Sequence, residues 1–161
     1  MLTYRLREEN EQLLHDISLS ERRMRMLLGS IPGMAYRSYT GDDWKTLLAS
    51  DGFSELFGYT ADEFVEGKIL YNELVEPDFM EELRIEVDQA IAEKREFETQ
   101  YIITTKEGVK KWVLERGQIV ETDENGFHIL EGFVTDISER KKTEMELDSA
   151  LKKIEELEKS K

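Results

Sequence analysis

The spacing of apolar residues changes character along the chain. Over residues 2–31 they recur every three or four positions, and Leu6, Leu13, Ile17, Met24, Leu27 and Ile31 fall on one heptad seam with Asn10 and Ser20 in its polar gaps. This predicts an amphipathic helix that pairs with another copy along a narrow stripe, the alternative being that it lies on its own domain, and it is stopped by the glycines and proline of residues 29–33. Residues 34–38 and 44–50 read as a strand pair around a polar turn at 40–43. Short helical pieces follow at 53–57 and 60–64, the second opened by the capping-box pattern Thr60-x-x-Glu63. From Pro77 to about Lys94, Phe79, Leu83, Val87 and Ile91 recur every four residues as the buried stripe of a longer helix, with Pro77 and Asp78 suited to its first turn.

Two long strands, 97–105 and 109–120, flank Lys106-Glu107-Gly108, and a turn ending in Asn125-Gly126 leads into a last strand at 127–135. Beyond it lies only helix, rich in Glu, Lys and Leu, with Leu147, Leu151 and Ile154 on a second narrow seam beside Ala150 and Leu157. Asp136 and Glu139 are spaced as an N-cap and its reciprocal partner, so the last strand passes into the helix with almost no loop. Asp136, Ile137, Ser138, Glu139 and Arg140 form this junction. The expected architecture is α+β: a five-stranded antiparallel sheet with helices on one face, flanked by coiled-coil-like helices. Residues 1–30 are expected to form the first helix, 31–137 the domain and 138–161 a C-terminal signalling helix whose amphipathic pattern predicts a longer connector.

Composition narrows the function. At 161 residues the chain holds one ordinary domain with extensions. A formal net charge of −14 argues against nucleic acid as a partner. There is no cysteine, hence no disulfide, thiolate ligand or thiol nucleophile. No stretch is apolar enough to span a membrane, and charges at Arg5, Arg7, Glu8 and Glu9 break any signal-peptide core, so the cytoplasm is the expected location. Of the two histidines, His128 beside a turn reads as hydrogen-bonded rather than metal-bound. His15-Asp16 on the first helix faintly resembles a phospho-acceptor box, without its proline and leucine. With no phosphate loop and no metal-ligand spacing, no catalytic residue and no metal site is expected.

One family accounts for the ordered motifs. Tyr36-Arg37, Asp43-Trp44, Ser50-Asp51-Gly52-Phe53 and Leu56-Phe57-Gly58-Tyr59-Thr60 are followed by Lys106-Glu107-Gly108 and Lys111-Trp112-Val113-Leu114-Glu115-Arg116-Gly117. Glu131-Gly132-Phe133-Val134 then runs into Asp136-Ile137-Ser138-Glu139-Arg140-Lys141. Over residues 31–142 the chain resembles a PAS domain of the sensory-box type with its C-terminal PAC motif, Ser138 standing where the family usually has Thr. The resemblance implies a module of prokaryotic two-component signalling that cups a small ligand between sheet and helices. It also implies an output domain such as a histidine kinase or a diguanylate cyclase, and the seams on both end helices predict pairing into a homodimer.

The cofactor is unknown. The family's covalent flavin adduct requires a cysteine, and its haem relatives use a histidine on the long helix; both are missing. Alternation places Tyr101 with Ile103, and Leu130 with Val134, on shared strand faces, and with Tyr36, Phe57, Leu83 and Val87 they are the candidate ligand pocket. The same side chains serve equally well as a filled core. Trp112 and Arg116 share a face, suited to packing and to an ion pair with Asp136. The competing function is a ligand-free protein-interaction and dimerisation domain.

Overall fold

The alternating segments pair into one antiparallel sheet: β1 (Gly33–Tyr39), β2 (Thr46–Ala49), β3 (Phe97–Thr104), β4 (Lys110–Thr122) and β5 (His128–Asp136), in the order β2-β1-β5-β4-β3. The computed structural model describes residues 1–28, 33–41 and 44–161, the side chains of 24–28 excepted. Because β1 and β5 are neighbours, the first and last strands of the domain lie side by side in the middle of the sheet. α2 (Gly52–Phe57), α3 (Ala61–Val65), α4 (Tyr71–Leu74) and α5 (Pro77–Glu93) connect β2 to β3. Their apolar side chains, among them Phe53, Leu56, Phe57, Phe64, Leu83 and Val87, meet the sheet's inner residues in one core. α1 (Leu2–Leu28) lies against β1 and β2, and α6 (Ser138–Lys159) leaves from β5.

Local signals explain the boundaries. Thr60 caps α3 in a full capping box, its Oγ1 accepting from Glu63 N while Glu63 Oε2 accepts from Thr60 N at 2.9 Å. Pro77 sits in the first turn of α5, where its missing N–H costs nothing. Gly108, at φ +82°, closes the β3–β4 hairpin in the left-handed region that glycine enters freely.

Three expectations change. Trp44 does not belong to β2: its φ of 42° takes it out of extended backbone, and the strand starts at Thr46. The proposed Asp136–Glu139 capping box is not formed, because the helix's N-cap is Ile137 and Asp136 closes β5 one residue earlier. Arg116 pairs with Glu98 across the β3–β4 hairpin at 2.6 Å instead of with Asp136, since the two face each other in register. Along the α1 seam Ile17 is buried and Leu6 exposed; the side chains of Met24 and Leu27, Ile31 and the turn at Asp42-Asp43 lie outside the described residues. Nothing on α6 is buried, and Leu147, Leu151, Ile154 and Leu157 are all exposed. Among the described residues no helix is long and apolar enough to cross a membrane.

Candidate functional site

The inner face of the sheet is built in rows. One row runs Ala49, Tyr36, Gly132, Gly117, Phe97 across the five strands, and the next brings Met34, Val134, Glu115 and Thr99 into line. A Cβ on Gly132 would stand 2.5 Å from Tyr36 Oη, and one on Gly117 would stand 2.6 Å from the Phe97 ring. The two glycines therefore form a trough in which the Tyr36 and Phe97 rings lie against the backbone.

Into that trough points Glu115, 7% exposed. Its carboxylate accepts the Tyr36 hydroxyl through Oε1 and the Tyr101 hydroxyl through Oε2 at 2.6 Å, while Tyr71, from α4, shares a 2.5 Å hydrogen bond with Tyr101. Burial pushes the Glu115 carboxyl above the usual carboxylate range, and the two phenol bonds offset only part of that shift. Tyr36, Tyr71 and Tyr101 are held well above the usual phenol range, by burial first and by the nearby carboxylate second. The four groups act as one network that links β1, β3, β4 and α4.

Beside the network is a cavity of about 30 Å³. That is enough for one or more waters, which need roughly 10–15 Å³, and far below the ~300 Å³ of a drug-sized pocket. Of the eight pocket candidates, Tyr36, Leu83, Val87 and Leu130 line it; Phe57, Tyr101, Ile103 and Val134 are buried in the surrounding core and do not. The sequence reading missed Glu115, Trp44, Phe53, Tyr71 and Phe97, all of them in the wall. The pattern Val113-x-Glu115-x-Gly117 on β4 carried a signal, because it sets a carboxylate at an inward position between two buried neighbours.

The junction is tied to the same strand. Ile137 N donates to the Trp112 carbonyl at 2.9 Å, and Trp112 N donates to Ser138 Oγ at 3.0 Å, so β4 grips the start of α6 in both directions. Asp136 Oδ1 accepts from Ser138 N at 2.9 Å and so positions that hydroxyl. Lys141 lies 4.7 Å above the Trp112 ring, whose edge meets Phe79 of α5 at 5.4 Å between centroids. Glu139 and Arg140 are exposed and take no part in the grip; Arg140 pairs along its own helix with Glu144. Neither histidine joins a site: His15 is exposed, and His128 Nδ1 shares a 3.0 Å hydrogen bond with Thr122. Among the described residues no cluster of His, Asp or Glu could hold a metal ion.

Comparison with known proteins gives this arrangement relatives. The PAS fold family model matches residues 46–134, more than half the chain. The methyl sulfide methyltransferase-associated sensor of Methanosarcina acetivorans is 32% identical over 102 residues, which are 63% of this chain and 10% of that protein. The chain thus spans about a tenth of the length of this curated relative. Among solved structures, a sensory box histidine kinase/response regulator from Burkholderia thailandensis superposes with a TM-score of 0.65 at 16% identity, covering 83% of this chain and 98% of that one. The PAS domain of a Colwellia psychrerythraea protein superposes at 0.57 and 16% identity, covering 75% and 98%. At these identities the superpositions establish the fold alone.

Proposed function

The chain belongs to the PAS fold family, and from that membership and the site's geometry we propose that it is a sensory relay module. An event in the cavity beside Glu115 shifts β4 and β5, and the shift passes through the Trp112–Ser138 grip to α6 and an output domain in two-component-type signalling. A histidine kinase is the first candidate for that output. The chain itself catalyses nothing in this scheme, and two copies pair through their end helices. The observation that carries the proposal is the place of Trp112, bonded to both Ile137 and Ser138 while Glu115, three residues along the same strand, lines the cavity. A strand moved at one point moves at the other, because its backbone geometry is stiff and its hydrogen bonds to β5 are continuous over this stretch. The residues assigned to sensing are Tyr36, Leu83, Val87 and Leu130 from the original candidates, with Glu115, Tyr71 and Tyr101 as the polar network; Asp136, Ile137 and Ser138 are assigned to relay.

The absence of cysteine makes the test direct, since introduced thiols can be labelled without background. Spin labels at Ser149→Cys on α6 and Glu124→Cys on the β4–β5 turn report the helix's position by pulsed electron paramagnetic resonance. Filling the cavity with Leu130→Phe is expected to move or broaden that distance distribution. Superimposable distributions in a folded variant would overturn the relay. A second assignment, a domain that only pairs and aligns its partners, draws on the cavity's small volume; it predicts the unchanged distribution.

A further inference from the structure

We infer that the cavity beside Glu115 binds a small primary or secondary alkylammonium ion, an assignment that rests on the sensory role proposed for this cavity. Three features of the wall select that chemistry. Glu115 is a buried carboxylate that accepts two phenol hydrogen bonds and, among the described residues, has no Lys or Arg ion-paired to it. A carboxylate offers about four acceptor positions, so it has capacity for an N–H donor. A buried charge without a counter-charge is costly, and a cation in the cavity relieves that cost.

The second feature is aromatic. Tyr36, Trp44, Phe53, Tyr71 and Phe97 contribute to the wall around the carboxylate. Aromatic side chains in the wall favour a cation through the ring quadrupole, and their carbon frames accept an alkyl stem. Trp44 already carries the Arg84 guanidinium 5.5 Å from its ring centroid. Among the described residues no lysine, arginine or histidine lines the cavity, so an anion would meet a carboxylate with nothing to balance it, and a neutral alcohol would leave the charge unpaired. The third feature is size. A cavity of about 30 Å³ takes an ion of a few heavy atoms and rejects a bulky quaternary ammonium, which also lacks the N–H that Glu115 can accept.

Ethylammonium is the probe. With three heavy atoms it is limited to a Kd no tighter than about 0.5 mM by the ceiling on binding energy per atom, so the whole chain is titrated calorimetrically into tens of millimolar at constant ionic strength. A net charge of −14 will attract any cation to the surface, and the controls address this. Tetramethylammonium, ethanol and acetate are expected to give no saturable binding. Methyl resonances of Leu83, Val87 and Leu130 are expected to move with the ethylammonium isotherm. Glu115→Gln should weaken binding at least tenfold. Leu130→Phe, which keeps the carboxylate and fills the space, should abolish it and guards against a Glu115 variant that fails to fold. No saturable response in the wild type, equal binding by tetramethylammonium, or unchanged affinity in either folded variant would overturn the assignment. The spin-label distance separates this from the relay. If ethylammonium binds in the cavity without moving α6, the ligand stands and the relay falls. If Leu130→Phe moves α6 while ethylammonium does not bind, the relay stands and the ligand falls.

Discussion

Gly132→Ala is the sharpest probe of the trough. Its backbone lies in a central strand, hydrogen-bonded on one side to β1 and on the other to β4, so it has no room to retreat. The added Cβ would stand 2.5 Å from Tyr36 Oη and 2.6 Å from the carbonyl oxygen of Arg116. Overpacking of this kind costs about 1–3 kcal/mol. If the Tyr36 ring gives way, its bond to Glu115 is lost as well, and a hydrogen bond to a charged group contributes about 1.5–3 kcal/mol. The expected loss is about 2.5–6 kcal/mol, a large part of the ~5–15 kcal/mol available to a domain. Urea unfolding followed by circular dichroism measures it, with an unchanged denaturant slope as the sign that the transition remains two-state. The mechanism is tested by repeating the substitution in a Tyr36→Phe background. There the hydroxyl and its bond are already gone, leaving the ring carbon Cζ at 2.7 Å and the Arg116 carbonyl to be accommodated. Because the bond to Glu115 is no longer there to lose, the double mutant should be better than the sum of the singles by about 1.5 kcal/mol or more. Additivity within about 0.5 kcal/mol, the expectation for independent sites, would refute the account of the trough.

Four further outcomes follow from the network, the junction and α6. The Glu115 carboxyl is raised in the folded state, so its contribution to stability is complete below the unfolded carboxylate pKa of about 4.3 and is lost as pH rises through the folded value; Glu115→Gln should flatten that part of the urea-midpoint profile relative to wild type. Tyr36, Tyr71 and Tyr101 are raised too, so stability should fall above pH ~10, and these three of the six tyrosines should titrate in ultraviolet absorbance only as the fold is lost. Ser138→Ala leaves Trp112 N without its acceptor, and proton exchange at that amide should accelerate while exchange at Glu115 is unchanged, as read by nuclear magnetic resonance. Leu151→Glu on the exposed seam of α6 should leave the unfolding free energy within about 0.5 kcal/mol, as for other surface changes, and under the proposed pairing through the end helices it should shift sedimentation toward monomer.

The meander was legible because β3, β4 and β5 are long, apolar at most inward positions and bounded by turns with glycine in a left-handed conformation, at Gly108 and Gly126. The same alternation correctly turned Tyr101, Ile103, Leu130 and Val134 inward. It failed on β4 for a physical reason: a glutamate at an inward position reads as an interruption of the pattern, and only its phenol partners, at positions 36 and 101, make burial tolerable. Tyr71 was hidden in a helix of four residues, too short to show a period. Trp44 has strand-like neighbours and a strand-favouring side chain, yet its backbone turns the other way. At the junction, Asp136 and Glu139 have the right spacing for a cap; extension of β5 through Asp136, paired with Val113, moves the helix start by one residue and gives the aspartate a different N–H to hold.

α6 buries no residue, so nothing in the domain's core constrains its sequence after the grip at Trp112. Under the proposed relay, what it transmits is then a matter of angle. Each residue of an α-helix advances about 1.5 Å and turns by about 100°, so one residue inserted after Lys142 would leave the domain untouched and point everything beyond it in a new direction. Seven residues would restore the facing to within about 20°. A series of insertions of increasing length should therefore make output rise and fall with the phase of the helix, with hardly any dependence on its length.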